Sequence, residues 1–189
     1  LGTENYMFYP GVDRSHERVV QHMRDFIGSD GIQKLSSDNA PELIRAGTEM
    51  AVAHASSTPY RSTSNGRVEN IIGQVVMGSR ALLQQSGLAI NWWTYAAPYW
   101  CAAHNLLGKP GCDVTPYWRR AGHEFEGEIV PFGAQIEAIL PDARIRRPKF
   151  ASQTTTCIFL GWHFQPGQRW VGDYLVSPVK DHTASEGRA

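Results

Sequence analysis

Apolar residues fall at helical spacing in three stretches of the chain and at strand-like density in its last third. Val19, Val20, Met23, Phe26 and Ile27 follow Ser15, a residue type that caps helices, and predict a helix to about Ile27. Val68, Ile71, Ile72, Val75, Val76, Leu82 and Leu83 lie on one stripe, the clearest period in the chain, and predict a helix from Gly66 to about Gln85, ended by Gly87. Asn91 to Leu107 reads as another helix, rich in Trp92, Trp93, Tyr95, Tyr99 and Trp100. Shorter elements come between. Asn5 to Tyr9 is an aromatic strand candidate stopped by Pro10-Gly11, and Gly31 to Ser37 a weak strand. Pro41 to about Met50 suits a short helix with proline in its first turn, and Ala51 to Ala55 another strand.

The pattern changes after Leu107. Gly108 to Gly127 has Gly and Pro but no sustained period and reads as a linker or extended arm. Ile129 to Ile139, Thr155 to Phe164 and Arg169 to Val176 are β-rich, the last two joined by a Pro166-Gly167 turn, which is the content of a small barrel. The division expected is therefore 1–107, a linker 108–127, a β unit 128–179 and a polar, disordered tail 180–189.

Composition adds limits. The chain has 189 residues, enough to bury a real core, with 42% apolar and 19% charged residues. Lysine plus arginine (18) balances aspartate plus glutamate (18), so any nucleic-acid function must rest on local patches. Three irregularly spaced cysteines do not suggest a disulfide framework. No apolar run reaches the roughly 18 residues of a membrane span, and no membrane partner is expected. The opening on Leu1 leads to the expectation that this is a piece of something longer.

Two carboxylates stand out. Asp38 follows a predicted strand and precedes Asn39-Ala40-Pro41-Glu42, where it could equally be a helix cap. Glu69 is expected in the first turn of the long helix, where the helix dipole alone favours an acid by about 0.3–1 kcal/mol. It sits off the apolar stripe, so it could face a cleft while Val68 and Ile72 pack inward, and Asn65-Gly66 before it would suit a tight backbone approach. Enzymes that cleave or join phosphodiesters hold two divalent metals with a few such acids.

Ser36-Ser37-Asp38-Asn39 with Glu42-Leu43, then Ser57-Thr58-Pro59-Tyr60, then Asn65-Gly66-Arg67-Val68-Glu69, resembles the second and third acids of a D-D-E integrase of the copia-type retrotransposons. Val130 to Ala134, Cys157 to Trp162 and Trp170 to Val176 resemble the SH3-like barrel that follows that core, so the likeness covers roughly residues 5 to 178. It implies an α/β, ribonuclease-H-like integrase core, here partial, followed by a small SH3-like β-barrel. It implies 3′-end processing and strand transfer with two Mg²⁺ (or Mn²⁺) ions. Asp38 and Glu69 would be catalytic metal ligands, and Tyr60, Asn65, Gly66 and Arg67 would shape the nucleic-acid-binding loop beside them, while Arg61 and Arg67 are either DNA-backbone contacts or ordinary surface. The partners implied are retroelement DNA ends and target DNA, with a homo-multimer acting in the nucleus. Arg144, Arg146, Arg147 and Lys149 form the densest basic cluster, either a solvated loop or a phosphate contact at the barrel edge.

The sequence departs from that pattern. The first acid of the three is expected upstream of Leu1, since Asp13 reads as part of a turn and Glu4 and Asp25 lack the context. Arg61-Ser62-Thr63 stands where the family often has Pro-Gln. The chain alone is accordingly expected to be inactive. The competing readings are a decayed or domesticated remnant that only binds nucleic acid or protein, and an unrelated α+β protein. Cys101, His104, Cys112 and His123 can be forced into a zinc set, though a buried cysteine and a partly exposed histidine is the simpler reading. The aromatic run from Trp92 to Trp100 could stack bases but suits core packing better.

Overall fold

A computed structural model describes residues 4–37, 39–56, 62–109, 111–141, 149–150 and 152–179; at 56 and 62–65 it describes the backbone only. Asn5 to Tyr9 is an extended arm and not a strand. Asn105 replaces the strand partner that segment would need, bonding both the N–H and the C=O of Tyr6 at 2.9 and 2.6 Å.

Helix α1 (His16–Ile27) forms where the period placed it. Ser15 is its N-cap residue, but the Ser15 side chain does not cap; its N–H instead donates to Asp13 Oδ1 at 2.9 Å. The helix ends at Gly28, whose φ of 62° and N–H donation to Arg24 O close the last turn. Strand β1 (Lys34–Ser37), helix α2 (Pro41–Glu49) and strand β2 (Ala53–Ser56) follow as a βαβ unit. The strands are parallel, with Lys34 opposite Ala53 and Ser37 opposite Ser56, so both end at the same edge. Helix α2 packs on them at Gly47, where a Cβ would make ordinary contact with the Leu35 and His54 side chains. Glu49 joins α2 to α1 through His16 and Arg24, at 2.7 and 3.1 Å.

Helix α3 (Ser62–Ser86) starts earlier than the Gly66 that its apolar stripe suggested. A 3-10 turn at Ile90–Trp92 leads into α4 (Trp93–Leu107). The two helices meet at Gly78, where any Cβ would fall on the Trp100 indole. Val75, Ala97 and Cys101 form a small buried cluster there, flanked by Ile71, Trp100, Tyr6 and Phe8.

The stripe expected on α3 divides in two. Val75 and Leu83 are buried, but Val68 and Ile72 are 55% and 57% exposed and do not pack inward as the sequence suggested. The shorter α4, 15 residues against 25, leaves the first turns of α3 uncovered by a helix.

The expected linker carries a six-residue helix, α5 (Pro116–Ala121), capped by Thr115, which accepts from Trp118 N–H at 3.1 Å. Beyond it, β3 (Gln135–Ala138), β4 (Thr155–Gln165) and β5 (Arg169–Pro178) form an antiparallel sheet in that order. Among the described residues this sheet does not close into a barrel. The largest core joins the sheet to the helices: Leu83, Ala96, Tyr99 and Leu106 pack with Tyr117, Phe132, Phe159 and Trp162. Tyr99 stacks on Trp162 at 5.1 Å and donates its hydroxyl to Val130 O at 2.9 Å. The chain is thus a mixed helix-and-sheet protein. Among the described residues no helix is long and apolar enough to cross a membrane.

Candidate metal and nucleic-acid site

Glu69 stands on α3 two turns from its start, about 10 Å along the axis at 1.5 Å per residue. At 100° per residue it shares a side of the helix with the exposed Ile72 and Val76. It is exposed, and among the described residues its carboxylate has no hydrogen-bond or ion-pair partner. A carboxylate left open in this way is a hard oxygen donor of the kind Mg²⁺ takes.

Asp38, Tyr60, Arg61, Arg144, Arg146 and Arg147 lie outside the described residues. Asp38 directly follows Ser37, the last residue of β1, and 57–61 directly follow Ser56, the last of β2. Helix α2 takes Ala40 as its N-cap residue. Asn65 belongs to α3 by its backbone. Gly66 is helical too, with nothing within 4 Å of where a Cβ would be, so no close backbone approach requires glycine at that position. Lys149 is exposed.

Arg67, unlike Glu69, is engaged: its guanidinium lies 3.5 Å from Glu4 Oε1, and Lys109 Nζ lies 3.0 Å from Glu4 Oε2. The Lys109 ammonium, first by hydrogen bond and then by charge, holds the Glu4 carboxyl below its ordinary range. Glu4 and Lys109 were not legible as site residues. Positions 4, 67 and 109 meet only through the fold, and no local signal marks them. Asp13, the other acid near the start, accepts from Ser15 N–H and Arg18 in a turn.

The cysteines and histidines lie apart in character. Cys101 is buried, and burial pushes its thiol up to about 12, whereas Cys112 is exposed. The His104 ring stacks on Tyr6 at 4.4 Å and on Trp100 at 5.6 Å. His123 packs edge-on against Tyr117. Among the described residues no three His, Cys, Asp or Glu side chains are grouped to hold a metal. The aromatic run splits: Tyr99 is core, while Trp93 and Tyr95 are about two-fifths exposed, at 43% and 41%.

No family model matches the chain, and no curated protein matches it. Among solved structures it is similar to a chain in the cryo-EM structure of the simian T-cell lymphotropic virus intasome in complex with PP2A regulatory subunit B56 gamma. Identity is 18% and the TM-score 0.44, with 88% of this chain and 63% of that chain covered. The present chain therefore spans less than two thirds of that neighbour's length.

Proposed function

We propose that this chain is a segment of a copia-type retroelement integrase, with a ribonuclease-H-like core and a C-terminal SH3-like unit, that binds DNA beside a divalent-metal site built on Asp38 and Glu69. The observation that carries the reading is topological. β1 and β2 are parallel and end in register at Ser37 and Ser56. In parallel α/β sheets, sites gather beyond the carboxyl ends of the strands. Asp38 is the next residue in the sequence after Ser37, the last of β1, and the chain after Ser56, the last of β2, leads on to α3, which carries Glu69 with its carboxylate open.

Asp38 and Glu69 would hold the metal through carboxylate oxygens, and a divalent ion there stabilises the charge on the attacking and leaving oxygens of a phosphodiester. What this chain's own residues supply is ligation and placement. Arg67, about 200° round the helix from Glu69 and so on nearly its opposite side, contributes positive charge for the DNA backbone, joined by Tyr60, Arg61, Arg144, Arg146, Arg147 and Lys149 in the same reading. Among the described residues no group of three such ligands is assembled, and the two acids near the start, Asp13 and Glu4, are engaged in ion pairs. The chain by itself is therefore predicted to bind DNA without joining it.

The test is duplex DNA binding with and without Mg²⁺, read by fluorescence anisotropy. The wild-type chain should bind more tightly with Mg²⁺. Asp38→Asn and Glu69→Gln should each lose that increment, about tenfold, while keeping metal-free binding. An unchanged Mg²⁺ increment in either variant contradicts the site.

A further inference from the structure

The extended arm that opens the described chain is held tightly against α4. Asn105, only 3% exposed, clamps both backbone groups of Tyr6, and the Tyr6 ring lies on His104. Two residues before that clamp, Glu4 divides its carboxylate between two elements. Oε1 faces Arg67 on α3, and Oε2 receives Lys109 just beyond the end of α4. Arg119 on α5 adds a third favourable charge interaction with the same carboxylate.

Folding gives little reason for this convergence. Exposed ion pairs contribute little to stability, and Arg67 and Lys109 remain 72% and 53% exposed. One carboxylate shared by Arg67 and Lys109 also leaves positive charge in excess. Its two oxygens occupy the positions that two non-bridging phosphate oxygens would take between the same donors. We propose that Arg67 and Lys109 form a phosphodiester-binding site in which Glu4 is a displaceable internal occupant. The proposal rests on the nucleic-acid reading above and deepens it. It names the cations that hold the backbone and the group that competes with it.

Displacing Glu4 costs DNA its attraction to those cations, so removing the Glu4 charge should strengthen binding. With a short duplex DNA at several salt concentrations, Glu4→Gln should tighten binding about three- to tenfold at low salt. Lys109→Gln and Arg67→Gln should each weaken it, and each should lower the slope of log K against log salt by about 1. Lys109→Arg should restore most of the loss. A second arm uses inorganic tripolyphosphate, read as a rise in Tm of the same full chain. If DNA binds the wild type but Glu4→Gln and Lys109→Gln leave affinity and slope unchanged, the proposal is overturned and the nucleic-acid reading stands. If tripolyphosphate raises Tm in the wild type but not in the Lys109 and Arg67 variants, while DNA does not bind, the anion site stands and the nucleic-acid reading falls. Binding of neither probe to the wild type overturns both.

Discussion

Two glutamates on facing elements are treated very differently by their surroundings. Glu4 is caught between Lys109 and Arg67, whereas the Glu69 carboxylate has no described partner. A partnered acid has little left to offer a metal, and an open one on a helix has its oxygens available. Glu69 could be picked out from sequence because its setting is local: a helix start with an Asn-Gly-x-x-Glu pattern. Glu4 could not, because the residues that define it lie on α3 and beyond α4. His104 shows the same limit. As a histidine in an aromatic helix it invited a zinc reading, and the structure stacks it between Tyr6 and Trp100. Burial, helped by Lys109, lowers its pKa, while Glu4 acts weakly the other way. A histidine whose folded pKa lies below its unfolded value binds its proton more readily when unfolded. Stability should therefore fall as pH drops through the ordinary histidine range, from about 6.5 downward. Urea unfolding at pH 7 and pH 5 should show a smaller loss in His104→Phe than in the wild type, and an equal loss would contradict this role.

At the scale of elements, the helices and the β4–β5 hairpin follow from periodicity and turn residues, and their boundaries from contacts the sequence does not show. The apolar stripe of α3 was read as one face. It is not one face: Val75 and Leu83 are buried, whereas Val68, Ile72 and Val76 stay exposed. Helix α5 was missed because six residues are too few to establish a period. The turn at Pro166-Gly167 was legible, but its role was not. Gly167 packs against Gly28 at the end of α1, and a Cβ at Gly28 would fall on the Gly167 backbone. Gly28→Ala should therefore cost about 2–4 kcal/mol, from the positive φ and the clash together. Gly87, with φ 70° and nothing near its missing Cβ, should lose only about 1 kcal/mol in the same change. Urea denaturation of the two variants compares them, and equal costs would mean that the α1–hairpin contact does not hold α1 in place.

Over the whole molecule, one core runs from α3 and α4 into the C-terminal sheet, with Tyr99 against Phe132, Phe159 and Trp162 at its centre. The division of the chain at 107 and 128 remains a proposal about its organisation, and across that division the aromatic packing is continuous. The proposed metal site depends on another part of the chain, where β1 and β2 end in register at Ser37 and Ser56 and α3 follows in the sequence. The decisive question is whether Asp38 and Glu69 serve one ion. Mn²⁺ added well below one equivalent to the isotope-labelled chain answers it, because a bound Mn²⁺ broadens amide signals around it. The signals of Ser37 and Asn39 and those of Glu69 to Ile72 should broaden together, and Asp38→Asn should abolish the broadening on α3. Broadening on α3 that survives Asp38→Asn, or that never accompanies broadening at Ser37 and Asn39, would contradict a shared site.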